Sequence, residues 1–187
     1  MNNIYKIALI LFFVNSYSQI VPLNSIETPN GGYEKDLENI LPFWIGTWKG
    51  TSNNVEYTFV FDLYPETLTN NGLGSTYFRD ELVVKFSVKN LVNNEILYSD
   101  LNITNVNDYK INFLSNIGND YYFSFNDDLV NCNNSAEFVV GKFSNNSNQF
   151  EYKHFRYVQN ISYECNYVNQ FEIPLFLPKI SVIFFRQ

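Results

Sequence analysis

The chain has 187 residues, a formal net charge of -7, an aromatic fraction of 18% and a charged fraction of 17%. That length supplies one domain's worth of core. Its negative field repels phosphate backbones and anionic lipid headgroups, which argues against nucleic acid and membrane surfaces as partners.

Residues 1–18 read as a secretory signal peptide. Lys6 precedes the apolar run "IALILFFV", and Ser16 and Ser18 are small residues placed for cleavage before Gln19. The run is shorter than the ~20 residues that a bilayer span needs. The expected product is exported, to the periplasm or the extracellular space, with no membrane insertion after removal of the signal. Residues 19–42 follow as a lead-in. "QIVPLNSIETPNGG" is extended, with two prolines and a Gly-Gly. In "YEKDLENIL", Tyr33, Leu37, Ile40 and Leu41 fall at i, i+4, i+7 and i+8, which predicts one short helix ended by Pro42.

From residue 43 to 187 the period changes to two. Tyr57, Phe59, Phe61 and Leu63 share one face of a strand, with Glu56, Thr58, Val60 and Asp62 on the other. Phe78, Leu82, Val84, Phe86 and Val88 repeat the pattern in "YFRDELVVKFSVK". Asn53-Asn54 fits a tight hairpin turn, because asparagine tolerates positive φ. Further strand-like runs are "EILYSDLNI", "YKINFLS", "DYYFSF", "EFVVGKF", "FEYKHFRYV" and "ISVIFF", separated by Asn- and Asp-rich turns. Successive strands with hairpin connections predict an all-β fold: an up-and-down antiparallel β-barrel of eight to ten strands.

No phosphate loop, Cys-x-x-Cys, His-Glu-x-x-His or Gly-x-Ser-x-Gly is present, so no catalytic residue is assigned and the chain is read as non-enzymatic. Two cysteines and one histidine make a thin ligand set, and no metal or cofactor is expected. In an oxidising compartment Cys132 and Cys165 are expected to pair, closing a loop of about 33 residues worth about 3.5–4 kcal/mol; two buried free thiols are the alternative. The sole histidine, His154, lies with Tyr152 and Arg156 at alternate positions of one strand, a candidate ligand-binding cluster. A solvent-facing strand surface is the simpler reading of the same three residues. Asp80 shares the parity of Leu82 and Val84, which suggests an inward carboxylate paired with an arginine.

The stretch "FWIGTWKG" holds both tryptophans of the chain, Trp44 and Trp48. It resembles the first-strand Gly-x-Trp signature of the calycin superfamily, the lipocalins, fatty-acid-binding proteins and nitrobindin-like barrels. That resemblance implies a short helix closing one barrel end, with Trp48 latched by Arg186 of the last strand, "ISVIFFRQ". It also implies an interior able to hold a small apolar ligand and, by analogy with the nitrobindin-like barrels, a haem-ligand reading of His154. "SYSQ", the proline-bearing lead-in, "GTWKG", "YFRDEL" and "EIPLFLPKISVIFF" together resemble a family of uncharacterised small exported bacterial proteins, a domain of unknown function that carries no known activity. Two functional readings follow. One is an exported barrel that binds a small apolar ligand inside; the other is a structural or interaction protein with a solid core that meets another envelope or secreted protein.

Overall fold

The computed structural model describes residues 19–71, 74–127, 133–160 and 176–187, with 133–134 and 154–160 as backbone only. Residues 1–18, read above as a signal peptide, lie outside the described residues, as do Cys132 and Cys165. Among the described residues eleven strands run in chain order: β1 (Ile20–Pro22), β2 (Tyr33–Lys35), β3 (Gly46–Ser52), β4 (Val55–Asn70), β5 (Thr76–Asn90), β6 (Ile96–Ser99), β7 (Ile111–Ile117), β8 (Asp120–Asp127), β9 (Asn133–Phe143), β10 (Asn146–Asn160) and β11 (Val182–Arg186). Eight of them, β3, β4, β5, β7, β8, β9, β10 and β11, close a barrel, because β5 pairs with β7 and β11 returns to β3. Neighbours in this ring are sequential and antiparallel, an up-and-down meander, and β6 adds beside β5.

The period-two pattern decides which side chains fill the ring. Phe59 and Phe61 of β4, Leu82, Val84 and Phe86 of β5, Phe123 of β8 and Val140 of β9 are all fully buried. Each large apolar side chain removed from water contributes about 1.5–3 kcal/mol, which makes this layer the main source of stability. Asn53 and Asn54 turn β3 into β4 with φ of 51° and 61°, and Ser52 pairs with Val55 across them. Positive φ at both central residues is the twist that a two-residue hairpin requires.

Two compact units are distinguished. The larger comprises Asn39–Pro65 and Glu81–Gln187; the smaller takes in the described residues up to Glu38 with Glu66–Asp80. In the smaller unit β1 lies parallel to β2, and β2 lies parallel to the first residues of β5, with Tyr33 opposite Phe78 and Glu34 opposite Arg79. The short helix expected over Tyr33–Leu41 does not form. Tyr33 and Glu34 are both buried, which a helix with Leu37 on its apolar face would not allow, and Leu37 is 58% exposed. Glu34 instead faces the Arg79 guanidinium at 3.4 Å and accepts the Asn24 amide at 2.7 Å. Asn39, at φ 54°, breaks any helical continuation, and a 3-10 turn over Leu41–Phe43 begins around Pro42. Asp80 is buried, but its partners are the Tyr33 hydroxyl at 2.5 Å and the Asp36 amide at 2.9 Å, in place of an expected arginine.

Candidate functional site

One end of the barrel is closed around the two tryptophans. The 3-10 turn delivers Trp44, and β3 delivers Trp48; both are fully buried. The Trp48 indole N–H donates to the Trp44 carbonyl at 2.7 Å, which fixes the turn against the first barrel strand. Arg186 is the register partner of Trp48 across the β11–β3 pair, and its guanidinium carbon lies 4.2 Å from the Trp48 ring centroid. Arg186 also donates to the carbonyls of Ile45 and Phe43. The guanidinium fork therefore satisfies backbone acceptors left over where the 3-10 turn ends while its face covers an indole. Gly46 sits at φ 114°, a conformation open to glycine, and the space beside it is taken by Arg186.

A second cation reaches the same end from β9. The Lys142 ammonium lies 4.5 Å from the ring centroids of Phe43 and Tyr121 and donates to the Ile40 carbonyl at 3.0 Å. Its four-carbon stem is packed while its charge meets ring faces and a carbonyl, a favourable way to bring an ammonium into an aromatic cluster.

The interior beyond this end is packed ring against ring. Phe150 and Phe184 stack at 4.8 Å with planes 5° apart, and Phe59 meets Phe184 at 4.8 Å. Phe123 and Phe138 stack at 5.4 Å, and Phe138 stacks on Tyr152 at 5.2 Å. Tyr152, predicted to line a ligand cluster, is fully buried in this layer, and its hydroxyl has no partner among the described residues. Burial, with Tyr57 nearby, pushes the Tyr152 hydroxyl pKa well above its usual value, so it remains a neutral phenol.

The pairing of β10 with β9 is irregular beside Tyr152. Tyr152 is opposite Val140, whereas His154 is opposite Val139 and Arg156 opposite Glu137, because the register slips by one residue at Lys153. The side chains of His154 and Arg156 lie outside the described residues, as does the predicted Cys132–Cys165 pair.

A groove of about 430 Å³ opens on the outer face of β4 and β5, beneath the connection that leads from β6 to β7. Asp62 and Tyr64 come from the polar parity of β4, Lys85 from β5, and Thr104 and Tyr109 from the connection. The connection holds its shape through a 3-10 turn over Val106–Asp108, capped where the Asn105 side chain accepts the Asn107 amide at 3.1 Å. The Lys85 ammonium pairs with Asp62 at 2.9 Å. The Tyr109 hydroxyl donates to the same carboxylate oxygen at 3.0 Å and lies 2.9 Å from the Tyr64 hydroxyl. Burial first, then hydrogen bonds to Tyr64 and Asp62, raise the Tyr109 pKa far above the usual tyrosine value, so this hydroxyl holds its proton throughout the physiological range. The network offers a fixed carboxylate, a fixed ammonium and neutral hydroxyls, side by side in an open groove.

None of the groove residues stands out as a site in the sequence. The available signal is a pair of opposite charges, Asp62 and Lys85, on the outward parity of consecutive strands. Whether two such residues meet depends on the offset between long strands, which alternation alone does not specify. No family model, curated protein or solved structure matches the chain.

Proposed function

We propose that the protein is an exported, non-enzymatic β-barrel that works from its outer face, with an interior that is structural. The carrying observation is the ring-on-ring packing of Phe59, Phe138, Phe150, Tyr152 and Phe184 across the barrel section where a calycin-like carrier would hold its ligand. An eight-stranded barrel is just wide enough for side chains to fill, and aromatic side chains do so here. The resemblance of "FWIGTWKG" to a calycin first strand is supported by the contact between Trp48 and Arg186. Export is supported by the layout of residues 1–18.

The test is titration of the folded chain with a fluorescent fatty-acid analogue. No saturable, competable binding is expected. One-site binding displaced by unlabelled fatty acid would overturn the structural-interior reading. A second reading, a small ligand held inside the barrel, has one observation in its favour: the buried, unpartnered Tyr152 hydroxyl. Under that reading Tyr152→Phe weakens binding of the fatty-acid analogue; under the reading adopted it leaves the chain equally silent toward the probe.

A further inference from the structure

From the donors and acceptors it leaves open, we infer that the groove over β4 and β5 is a saccharide-binding site that takes a pyranose ring by a vicinal diol bridging Asp62 and Lys85. This inference rests on the outer-face reading above and gives that face a ligand class.

The argument begins with hydrogen-bond capacity. Asp62 uses one carboxylate oxygen, Oδ2, for both Lys85 and Tyr109, and Oδ1 has no partner among the described residues. An ammonium has three N–H donors. Lys85 spends one on Asp62, which leaves two without an acceptor among the described residues. The Thr104 hydroxyl lines the same groove and is likewise unpartnered among the described residues. A ligand that engages both residues would accept from Lys85 and donate to Asp62 at neighbouring atoms.

Charge then narrows the choice. The ammonium and carboxylate are 2.9 Å apart, so their fields largely cancel at the groove. A phosphate or carboxylate drawn to Lys85 is repelled by Asp62, and an amine drawn to Asp62 is repelled by Lys85. A hydroxyl both donates and accepts, and two hydroxyls on adjacent carbons present one acceptor and one donor at a spacing close to that of the ion pair. The lining also includes the apolar residues Ile45 and Ile103, against which the C–H face of a sugar ring can rest. Its volume, about 430 Å³, falls in the range of small-molecule sites. The opening is wide, so the affinity expected for a single ring is weak, with Kd on the order of 0.1–10 mM.

The experiment uses the full chain, verified as folded by near-ultraviolet circular dichroism. It is titrated with glucose, mannose, galactose, N-acetylglucosamine and cellobiose, each followed by ligand-observed NMR. Glycine and inorganic phosphate form the comparison arm. Saturable binding of at least one saccharide is expected, weakened at least tenfold in Asp62→Asn and in Lys85→Met, and weakened similarly when the bound sugar lacks one hydroxyl of the diol. Thr104→Ala, on the connection outside the barrel ring, is a second variant should the strand substitutions unfold the chain; it is expected to weaken binding about threefold. Silence of all five saccharides, or binding unchanged in the folded variants, overturns the inference. Binding of glycine or phosphate with the saccharides silent also overturns it, and identifies a zwitterion or anion site on the same face. Failure of the outer-face reading has its own signature, since fatty-acid analogue binding that persists in Asp62→Asn would place the ligand in the interior.

Discussion

The two compact units solve the problem of a small core in opposite ways. In the smaller unit the buried groups are polar: Tyr33 donates to Asp80, Asp80 also accepts the Asp36 amide, and Glu34 faces Arg79. In the larger unit the largest fully buried side chains are rings, from Trp44 and Trp48 through Phe150 and Phe184 to Phe123 and Phe138. Ring packing is insensitive to pH and tolerant of small shifts. A buried carboxylate network stabilises only while every member is satisfied. The smaller unit should therefore be the more easily opened by a single polar deletion, and the larger by loss of volume.

The largest effect is expected at the aromatic end. Trp48→Ala removes a fully buried indole and should lower the stability of the larger unit by about 3–5 kcal/mol, read from denaturant unfolding. Asp80→Ala should cost about 2–3 kcal/mol, because the Tyr33 hydroxyl and the Asp36 amide are left without their acceptor. That loss should appear as faster amide exchange in Tyr33–Lys35 and at Asp36, with the barrel amides of Phe123 and Val140 unchanged. Equal acceleration in both sets would erase the distinction between the units.

Arg186→Ala should cost about 2 kcal/mol through lost cation–π contact and two released carbonyls. With Trp48→Ala, the pair should lose less than the sum, by about 0.5–1.5 kcal/mol. Strict additivity would mean that the guanidinium and the indole do not support one another.

The smallest effect sharpens the comparison from the other side, since Asp100 is a buried carboxylate in the aromatic unit. Burial raises its pKa to about 6 from its ordinary value of 3.8, against the lowering influence of the Phe86 amide and Lys110. Below pH about 3.8 the group is protonated in both folded and unfolded chains and contributes nothing. Between about 3.8 and about 6 the unfolded chain ionises first, so stability falls as pH rises, and the penalty is constant above that window. Asp100→Asn keeps an acceptor for the Phe86 amide, at 2.5 Å in the parent, and should flatten this slope. A melting temperature whose dependence between pH 4 and 6 is identical in the variant would show that Asp100 does not titrate there.

The barrel was legible because its signal is local and repeated. Phe59 and Phe61, and Leu82, Val84, Phe86 and Val88, occupy the face that alternation assigns to the core, and Asn53-Asn54 makes the turn that asparagine pairs favour. The Trp48–Arg186 pair is what the resemblance of "FWIGTWKG" to a calycin first strand implies, and it joins the first barrel strand to the last. What escaped depends on distant partners. Tyr33, Leu37, Ile40 and Leu41 have the spacing of a helix face, but Arg79 and Asp80 engage Glu34 and Tyr33, and Tyr33–Lys35 is a strand. The slip at Lys153 has no mark in the sequence; its side chain is anchored to Asp120 at 2.5 Å, a residue on another strand. The groove escaped for the same reason, since it needs a loop to be laid across two strands before Tyr109 reaches Asp62.

The seam between β3 and β11 also governs the order of assembly. At Gly50 a side chain is forbidden by proximity: an added Cβ would stand 2.8 Å from Val182 Cγ1 and 2.9 Å from the Ile183 carbonyl. So tight a joint, made between the first barrel strand and the last, forms only after the whole meander is available. Hairpins such as β3–β4 and β7–β8 can zip early from local contacts, but until β11 docks, β3 and β10 each present an open strand edge. The exposed interval is a property of the topology, longer the more slowly the chain emerges. Its hazard is edge-to-edge pairing with another unfinished copy. A ring closed by its last strand hides the edges of β3 and β10 once complete and exposes them up to that moment, so holding the chain apart from its neighbours during folding matters more here than any gain in final stability.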